Sequence, residues 1–408
     1  MAEREPASVL MLTADRQIDR RILLERDSLE KAGWRVTIVG APVELGEVDD
    51  PPGVRRVQAG RDSGAAAQGR VIRWYAAVRR RLPMNGVAMR LLKSLAWRFL
   101  VDLENFYTRL YAPTITGLRA DVVVAHDLPM LPVAVDAAAR RGAKLVYDSH
   151  ELFVEQDLPR WLSRRWRRLE ASLIGRADAV ITVNESIARE LERRYGLARV
   201  HVILNAERAL APAARAPTGR LRAALGLPAS ARVLLYQGGL ISGRNLDALV
   251  DSMARVQDRS IHLVMLGDGR LRDALERRAR KDRVHFLAAV PQHELLGYSV
   301  DADAGVVPYR AECLNNYFCS PNKLFEFIAA GIPVLGSDLP EIARFVRGHD
   351  IGLLVADPDA DAFAAAIDEM FADPQRLAGW RANAARAAET VCWASEADRL
   401  VQIYEPLR

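Results

Sequence analysis

The chain has 408 residues, of which half are apolar and 27% are charged. This balance is typical of a globular protein, and the length is sufficient for two domains of about 200 residues each. The net charge of +5 favours an anionic substrate or an anionic membrane surface as a partner.

Composition also argues against several classes of protein. No run of about 18 apolar residues is present, so no membrane-spanning helix is expected. The first residues lack the basic-then-apolar order of a signal peptide, which predicts a cytoplasmic protein. The three cysteines, Cys313, Cys319 and Cys392, lack the spacing of a metal site and the even number of a disulfide framework, so reduced thiols are expected.

The first forty residues predict a βαβ unit. An apolar strand over 8–12 is followed by a turn ending at Asp15, a helix over 18–31 and a second strand over 36–39. Such a unit belongs to a parallel sheet with a right-handed crossover. Because no glycine-rich phosphate loop follows the first strand, we do not expect a nucleotide in this half of the chain.

The next segment is unusually basic. Residues 54–70 are rich in Gly, Ala and Arg and predict a loop, whereas residues 70–112 interleave nine basic side chains with aromatic ones. Two interpretations stay open: peripheral binding to an anionic membrane, or helices whose aromatic side chains face the core while the arginines are solvated. No recognised motif supports nucleic-acid binding, so none is expected.

Two later strands end in polar side chains. The first ends at His126 and Asp127, and the second ends at Asp148, followed by His150 and Glu151. Ligands bind at the carboxyl ends of parallel strands, so these residues are expected at a binding site. A lone histidine is more often structural than catalytic. A metal pair involving His150 has weak support, and the sequence favours a hydrogen-bonded cluster with no metal.

A linker separates two domains. Ser186 is the predicted N-cap of a helix that ends at Tyr195, and an Ala/Pro-rich linker follows over 207–218. The alternation of strands and helices then begins again. It includes an Asp301-Ala-Asp303 sequence that resembles a metal motif, which we interpret as a turn before the strand at 304.

A glycine-rich loop follows the first strand of the second domain. It contains Gly238, Gly239 and Arg244. Small residues let a diphosphate approach the backbone amides, and the arginine can neutralise its charge. The loop is not a P-loop, because the G-K-[ST] ending is missing.

The most informative stretch is a predicted helix that starts at Ser320-Pro321. Ser320 is expected as N-cap with proline at the first helical position, and Gly331 as the C-cap before a strand over 333–336. The helix start and Lys323 suit a diphosphate, and Glu326, one turn further, can accept from sugar hydroxyls. These features predict a nucleotide-sugar site. The alternative is a capped helix with an incidental Lys/Glu surface pair.

The sequence Ser320-Pro-Asn-Lys-Leu-Phe-Glu326, continued by Ala-Ala-Gly331-Ile-Pro-Val, resembles the carboxy-terminal signature of family 4 glycosyltransferases, in particular a bacterial branch. The resemblance implies the GT-B fold, with two Rossmann-like α/β domains facing across a cleft. The expected domains are an acceptor-side domain over 1–206, a nucleotide-sugar domain over 219–389, and a helix over 390–408 that crosses back to the first domain.

The resemblance also implies roles for individual residues, with Glu326 holding the donor ribose and His126 lying by the reacting sugar. The expected catalytic residues are His126, Arg244, Lys323 and Glu326. The expected nucleotide-sugar contacts are Gly238, Gly239, Arg244, Val290, Ser320, Asn322, Lys323, Leu324 and Glu326. The expected acceptor-side residues are Asp15, Asp127, Asp148, His150 and Glu151.

The chain departs from the family pattern at three positions. Phe318 stands where many members have a second glutamate, Gly239 stands where they have a phosphate-binding arginine, and Arg244 replaces a lysine. Lys323 is expected to restore the lost charge. The contact to the donor sugar is therefore the least supported part of the site.

The expected activity is retaining, metal-independent transfer from a UDP- or GDP-linked sugar, which is a substrate, with no cofactor. The acceptor would be a glycan, a lipid-linked molecule or a small molecule, in synthesis of a cell-surface polysaccharide or glycoconjugate. Two alternatives remain: a GT-B nucleotide-sugar epimerase, which needs no acceptor, and a catalytically silent GT-B partner subunit, which binds donor without turnover.

Overall fold

The structure is a computed structural model that describes residues 5–43, 50–57, 103–156, 158–279 and 282–408. Most of the basic, aromatic segment predicted over 70–112, and most of the loop predicted over 54–70, lie outside the described residues. Within the described ranges, no helix has both the length and the apolar character needed to cross a membrane.

The chain divides into two compact units. The amino-terminal unit comprises Met1–Thr182, Leu191–His201 and Leu400–Arg408, and the carboxy-terminal unit comprises Val183–Glu190 and Val202–Arg399. Each unit contains a sheet of strands that alternate with helices. This is the architecture that the βαβ pattern of the sequence predicts.

The amino-terminal unit is built on a seven-stranded sheet within the described residues, in the order β3-β2-β1-β4-β5-β6-β7. The strand pairs from β3 to β6 all run parallel. Its elements, in chain order, are β1 (Ser8–Leu12), α1 (Arg20–Lys31), β2 (Arg35–Gly40), β3 (Val54–Arg56), α2 (Leu103–Ile115), β4 (Val122–His126), α3 (Leu131–Arg141), β5 (Lys144–Ser149), α4 (Arg160–Leu173), β6 (Ala179–Thr182), α5 (Glu185–Tyr195) and β7 (His201–Val202).

Two local predictions in this part of the chain were wrong. Residues 54–56, predicted as loop, form the short edge strand β3, because backbone pairing with β2 does not require the apolar alternation that the sequence lacks here. Helix α5 is capped by Asn184 rather than Ser186: the Asn184 side-chain oxygen accepts a hydrogen bond from the backbone N–H of Ile187 at 2.9 Å.

The carboxy-terminal unit contains a six-stranded sheet in the order β10-β9-β8-β11-β12-β13, with every adjacent pair parallel. Its elements, in chain order, are α6 (Arg220–Leu225), β8 (Arg232–Gln237), α7 (Leu246–Ser252), β9 (Ile261–Leu266), α8 (Arg272–Arg278), β10 (Val284–Leu287), α9 (Gln292–Ser299), β11 (Ala304–Val307), α10 (Leu314–Tyr317), α11 (Asn322–Ala330), β12 (Val334–Ser337), α12 (Pro340–Gly348), β13 (Gly352–Val355), α13 (Ala360–Ala372), α14 (Pro374–Thr390) and α15 (Trp393–Tyr404).

Helices cover both faces of this sheet. Along β8, Val233 and Leu235 enter one hydrophobic cluster, while Leu234 and Tyr236 enter another. The first cluster includes the apolar face of α11, and the second includes α7 and α13. Because successive side chains of a strand point to opposite faces, this alternation gives a doubly wound α/β unit.

Helix α11 starts one residue later than the sequence predicts. Its first residue is Asn322, and Pro321 occupies the N-cap position with extended backbone angles. Ser320 does not cap the helix because its hydroxyl accepts a hydrogen bond from the Asn184 side-chain amide at 3.0 Å. The predicted end is confirmed, since Gly331 is the left-handed C-cap with φ of 70°.

The last helix, α15, begins in the carboxy-terminal unit, and residues from Leu400 onward belong to the amino-terminal unit. There the Tyr404 ring packs edge-on against Trp34, with ring centroids 6.0 Å apart. The Arg408 side chain also donates a hydrogen bond to the backbone carbonyl of Ala32 at 2.7 Å. The predicted return of the chain to its first domain is therefore present.

The Asp301-Ala-Asp303 sequence forms the turn before β11. Asp301 accepts hydrogen bonds from the backbone N–H groups of Gly219 (3.0 Å) and Leu221 (2.9 Å), and Asp303 accepts from the Arg222 guanidinium at 2.6 Å. These carboxylates fix the start of α6, as an N-cap would.

Gly267 offers a stability test of the loop after β8. Its φ is +148°, and a Cβ atom there would lie 2.1 Å from the carbonyl oxygen of Gly238. Gly267→Ala should therefore lower the free energy of unfolding by about 2–4 kcal/mol, measured by urea titration. Gly226 also has a left-handed backbone, but no atom lies within 4 Å of an added Cβ. Gly226→Ala is therefore the control and should lower the free energy of unfolding by about 1–2 kcal/mol. Equal losses in the two variants would contradict the close approach.

Candidate active site

A buried lysine lies where α11 meets the loop after β8. The Lys323 side chain is 7% exposed, and its Nζ atom lies 4.8 Å from the Tyr236 ring centroid and 5.1 Å from that of Tyr309. The same Nζ atom is 3.4 Å from the Tyr309 hydroxyl and would be 3.4 Å from a Cβ atom on Gly238. The lysine therefore borders the glycine loop.

A second cation shares this environment. The Arg244 guanidinium stacks 4.3 Å from the centroid of the Tyr309 ring. Within the described residues, neither Arg244 nor Lys323 forms an ion pair with a carboxylate. Burial, with the nearby Arg244 charge, lowers the pKa of Lys323 to about 7. Two positive side chains without paired carboxylates favour an anionic ligand at this position.

Glu326 lies one turn further along α11 and is 5% exposed. Its Oε2 atom accepts a hydrogen bond from the Gln237 side-chain amide at 2.5 Å. The other end of that amide accepts from the Ser299 hydroxyl at 2.8 Å. This chain of hydrogen bonds orients the carboxylate, which has further acceptor capacity for hydroxyl groups.

The glycine loop approaches the site with little side-chain bulk. Gly238 and Gly239 are both exposed, and Gly238 has φ of +115°. The N–H of Gly238 donates to the Leu266 carbonyl at 2.9 Å, so this amide holds the loop rather than a ligand. The Gly239 carbonyl accepts from the Tyr236 hydroxyl at 2.9 Å, which links the loop to the lysine environment.

The other predicted nucleotide contacts have more varied positions. Ser320 is buried against Asn184, and Asn322 is half-buried at the first position of α11. Leu324 is fully buried in the hydrophobic core, and its N–H donates to the Pro321 carbonyl at 2.9 Å. Val290 is half-buried and packs against the same core.

A polar cluster occupies the carboxyl ends of β4 and β5 in the amino-terminal unit. His126 and Asp148 are register partners on these adjacent strands, and both are buried. His126 Nδ1 lies 3.4 Å from Asp148 Oδ2 and 3.3 Å from His150 Nε2. Asp127 accepts from the backbone N–H of His150 at 2.9 Å. The predicted acceptor-side residues Asp127, Asp148 and His150 are thus brought together with His126.

Asp15 and Glu151 are more peripheral. Asp15 is half-buried; its N–H donates to the Thr13 hydroxyl at 3.1 Å, and its carbonyl accepts from Arg56 at 3.0 Å. Glu151 is also half-buried and accepts a hydrogen bond from the Gln156 side chain.

Two residues of the cluster were not predicted as site residues. The Arg21 guanidinium makes two hydrogen bonds to the Asp148 carboxylate, at 3.1 and 3.2 Å, and its Nε atom lies 2.9 Å from Glu25. Both belong to α1 and are at most 3% exposed. Arg21 and Glu25 lie on the buried side of the helix together with the apolar Ile22. Charged residues at positions where the helical pattern expects apolar ones were the signal in the sequence for this cluster.

Charge interactions set the protonation of the cluster. Although burial opposes it, the carboxylates of Asp127 and Asp148 raise the pKa of His150 to about 10. Burial raises the pKa of Asp148, but Arg21 and the two histidines outweigh it and hold that pKa well below its usual value. Burial lowers the pKa of His126, so this imidazole is neutral near pH 7.

The sequence matches two glycosyltransferase models. Residues 18–206 match the glycosyl transferase 4-like domain, and residues 231–373 match the glycosyl transferases group 1. Glycogen synthase of Mycobacterium tuberculosis is 30% identical over 302 residues, covering 70% of this chain and 69% of the relative. The chain belongs to the group 1 glycosyltransferases. D-inositol 3-phosphate glycosyltransferase of Thermobispora bispora is 29% identical over 309 residues, covering 70% of each chain.

Solved structures show that this glycosyltransferase has the GT-B fold. Sucrose-phosphate synthase from Thermosynechococcus elongatus superimposes with a TM-score of 0.73 at 19% identity, over 98% of this chain and 99% of that one. HepE of Anabaena, in complex with UDP-glucose, gives 0.67 at 16% identity, over 97% and 98%. At these identities the likeness concerns the fold alone.

The ion pair of Arg21 gives a test of the glycosyltransferase's amino-terminal cluster. Arg21→Met would leave Asp148 and Glu25 buried without their cation, so the free energy of unfolding should fall by about 3–5 kcal/mol. Chemical denaturation of the full chain measures the loss. Lys31→Met, on the exposed end of the same helix, should change stability by less than about 0.5 kcal/mol. A similar small effect for both variants would show that Arg21 is not holding these carboxylates.

Proposed function

We propose that this glycosyltransferase is a member of the bacterial branch with the S-P-N-K-L-F-E signature, and that it transfers a sugar from a nucleotide-diphosphate donor with retention and without a metal at the diphosphate. The observation that carries the proposal is the arrangement on α11. Lys323, buried at the first turn and without a carboxylate partner among the described residues, lies beside Arg244, and the Glu326 carboxylate lies one turn further along.

The two cations match the charge change of the reaction. When the glycosidic bond to the donor breaks, negative charge develops on the leaving diphosphate. Lys323 and Arg244, with the N–H groups at the start of α11, would stabilise that charge. In the part of the chain that the structure describes, both cations lie against aromatic rings rather than carboxylates, so a ligand phosphate would displace no ion pair seen there.

Glu326 would accept hydrogen bonds from the ribose hydroxyls of the donor. The hydrogen bond from Gln237 helps to orient this carboxylate. A hydrogen bond to a charged group is worth about 1.5–3 kcal/mol. No such carboxylate is available to the donor sugar at position 318, where many family members have a glutamate and this chain has Phe318. The backbone carbonyl of Phe318 accepts a hydrogen bond from the Asn184 side chain at 2.8 Å.

The amino-terminal cluster would serve the acceptor and the reacting sugar. His126 is neutral, and its Nε2 atom is buried with no hydrogen-bond partner among the described residues, so it is available to a hydroxyl group. In front-face retention the acceptor hydroxyl gives its proton to the departing phosphate, so His126 would position the sugar.

The donor is proposed as a UDP- or GDP-linked sugar, and the acceptor as a glycan, a lipid-linked molecule or a small molecule in cell-surface polysaccharide or glycoconjugate synthesis. The UDP-glucose complex of the Anabaena protein supports trying UDP-sugars first. Thermal-shift screening of UDP-, GDP- and ADP-sugars would identify the nucleotide.

Nucleotide release tests transfer directly. The full chain, given its donor, should release nucleoside diphosphate slowly into water and faster with an acceptor. Glu326→Gln and Lys323→Met should each lower kcat/KM by about 10- to 150-fold, the rate equivalent of 1.5–3 kcal/mol. The exposed Glu389→Gln should leave it unchanged. Conversion of the donor sugar without release would indicate an epimerase, and binding without either would indicate a silent subunit.

Lys323 also predicts a pH dependence of donor binding. With a pKa of about 7, the free lysine is mostly neutral above pH 7, whereas a bound diphosphate favours its charged form. Binding then takes up a proton, so the Kd for the nucleotide-sugar should rise by up to about tenfold per pH unit above 7.

Calorimetry at several pH values measures this slope. Lys323→Arg, whose guanidinium remains charged throughout, should flatten it. A wild-type Kd that is the same on both sides of neutrality would contradict the role of Lys323 at the diphosphate.

A further inference from the structure

Three potential metal ligands converge in the amino-terminal unit. His126 Nδ1 and His150 Nε2 are 3.3 Å apart, and they lie 3.4 and 3.2 Å, respectively, from the same oxygen, Oδ2 of Asp148. The three atoms therefore form a nearly equilateral triangle at the carboxyl ends of β4 and β5. Among the described residues, these three side chains place their ligand atoms close enough together to hold one metal ion.

The edges of the triangle fit metal coordination better than direct hydrogen bonding. A charge-assisted hydrogen bond from an imidazole to a carboxylate has a usual length of about 2.7–2.9 Å, and all three edges are longer. In a tetrahedral site with metal–ligand bonds of about 2.0–2.1 Å, neighbouring ligand atoms lie roughly 3.3–3.4 Å apart. We propose that His126, Asp148 and His150 bind one Zn²⁺-class divalent cation, although the sequence favours a hydrogen-bonded cluster with no metal.

The surroundings supply the outer contacts that such a site needs. His150 Nδ1, on the far side of the ring from the triangle, lies 3.6 Å from the Asp127 carboxylate. The Asp148 carboxylate is fixed by its two hydrogen bonds from Arg21. A carboxylate near the second nitrogen of a ligating histidine raises the basicity of the ring.

The donor set indicates which cation the site would take. Asp148, its oxygen ligand, is also paired with Arg21, which contacts the buried Glu25. Two nitrogen ligands and one oxygen ligand suit Zn²⁺, Co²⁺ or Ni²⁺, whereas Mg²⁺ and Ca²⁺ prefer all-oxygen sites.

Metal binding would fix the proton on His126. An ion on Nδ1 leaves the hydrogen on Nε2, the atom that is buried without a hydrogen-bond partner among the described residues. His126 would then present an N–H donor to a substrate oxygen. The binding inference does not rest on the proposed donor site, since Lys323 and Arg244 belong to the other unit.

Metal titration of the full chain tests the proposal without an activity assay. After treatment with a chelator and dialysis, the protein should bind one equivalent of Zn²⁺ by calorimetry, and one equivalent of Co²⁺ should give visible absorption typical of tetrahedral coordination. His150→Gln should weaken binding by more than about 100-fold, and Asp127→Asn, which removes an outer contact, by about 10- to 100-fold. Mg²⁺ should not compete.

The His262 and His285 pair supplies a matched control. These rings have nitrogens 3.0 Å apart in the carboxy-terminal unit and lie outside the proposed ligand set. His262→Gln should therefore leave the one-equivalent binding unchanged. Absence of binding, binding that survives His150→Gln in a variant with a normal circular dichroism spectrum, or binding lost in His262→Gln would each overturn the proposal.

Discussion

The carboxy-terminal unit depends on a buried lysine that has no carboxylate partner within the described residues. Lys323 is surrounded by the rings of Tyr236 and Tyr309, with Arg244 on the latter ring. Aromatic faces attract a cation by about 0.5–2 kcal/mol, which offsets part of the cost of burying the charge. An anionic ligand would offset the rest of the cost of burying the charge, so the arrangement is less favourable without one. This imbalance makes a ligand site a better explanation than a structural ion pair.

The fold places these groups together through elements that are distant in sequence. Tyr236 is the next-to-last residue of β8, and Tyr309 follows β11. Because β8 and β11 are neighbours in the sheet, their carboxyl ends supply both rings. Helix α11 follows β11 and adds Lys323 and Glu326. Gly267 lets the end of β9 approach the carbonyl of Gly238 closely, which leaves the loop after β8 beside the lysine. The site therefore follows from parallel strand order rather than from any single motif.

The sequence predicted the parts of this arrangement that have a local signal. Gly331 ended α11 as expected, because a left-handed C-cap favours glycine, whereas Ser320 did not start it, because a residue 136 positions away in sequence engages its hydroxyl. The parallel α/β architecture followed from the βα pattern, and the GT-B fold followed from the resemblance of the 320–336 segment. Arg21 and the tyrosine rings could not be assigned locally, since their roles depend on contacts between separate strands and helices. Burial of a charged side chain is set by tertiary packing, which spacing in one segment does not encode.

The two units contain clusters that favour ligands of opposite charge. Around Lys323, the described residues place two basic side chains without a paired carboxylate, so the free energy favours a negative ligand. Around Asp148, the carboxylates of Asp127 and Asp148 instead favour a proton on His150, or the metal ion proposed in its place. The two clusters thus favour ligands of opposite charge. A sugar transferase needs both characters: a positive environment for the departing diphosphate, and a polar, acceptor-rich environment for hydroxyl groups. The charge distribution of each unit, rather than the fold that they share, is therefore the basis for the separate roles proposed for them.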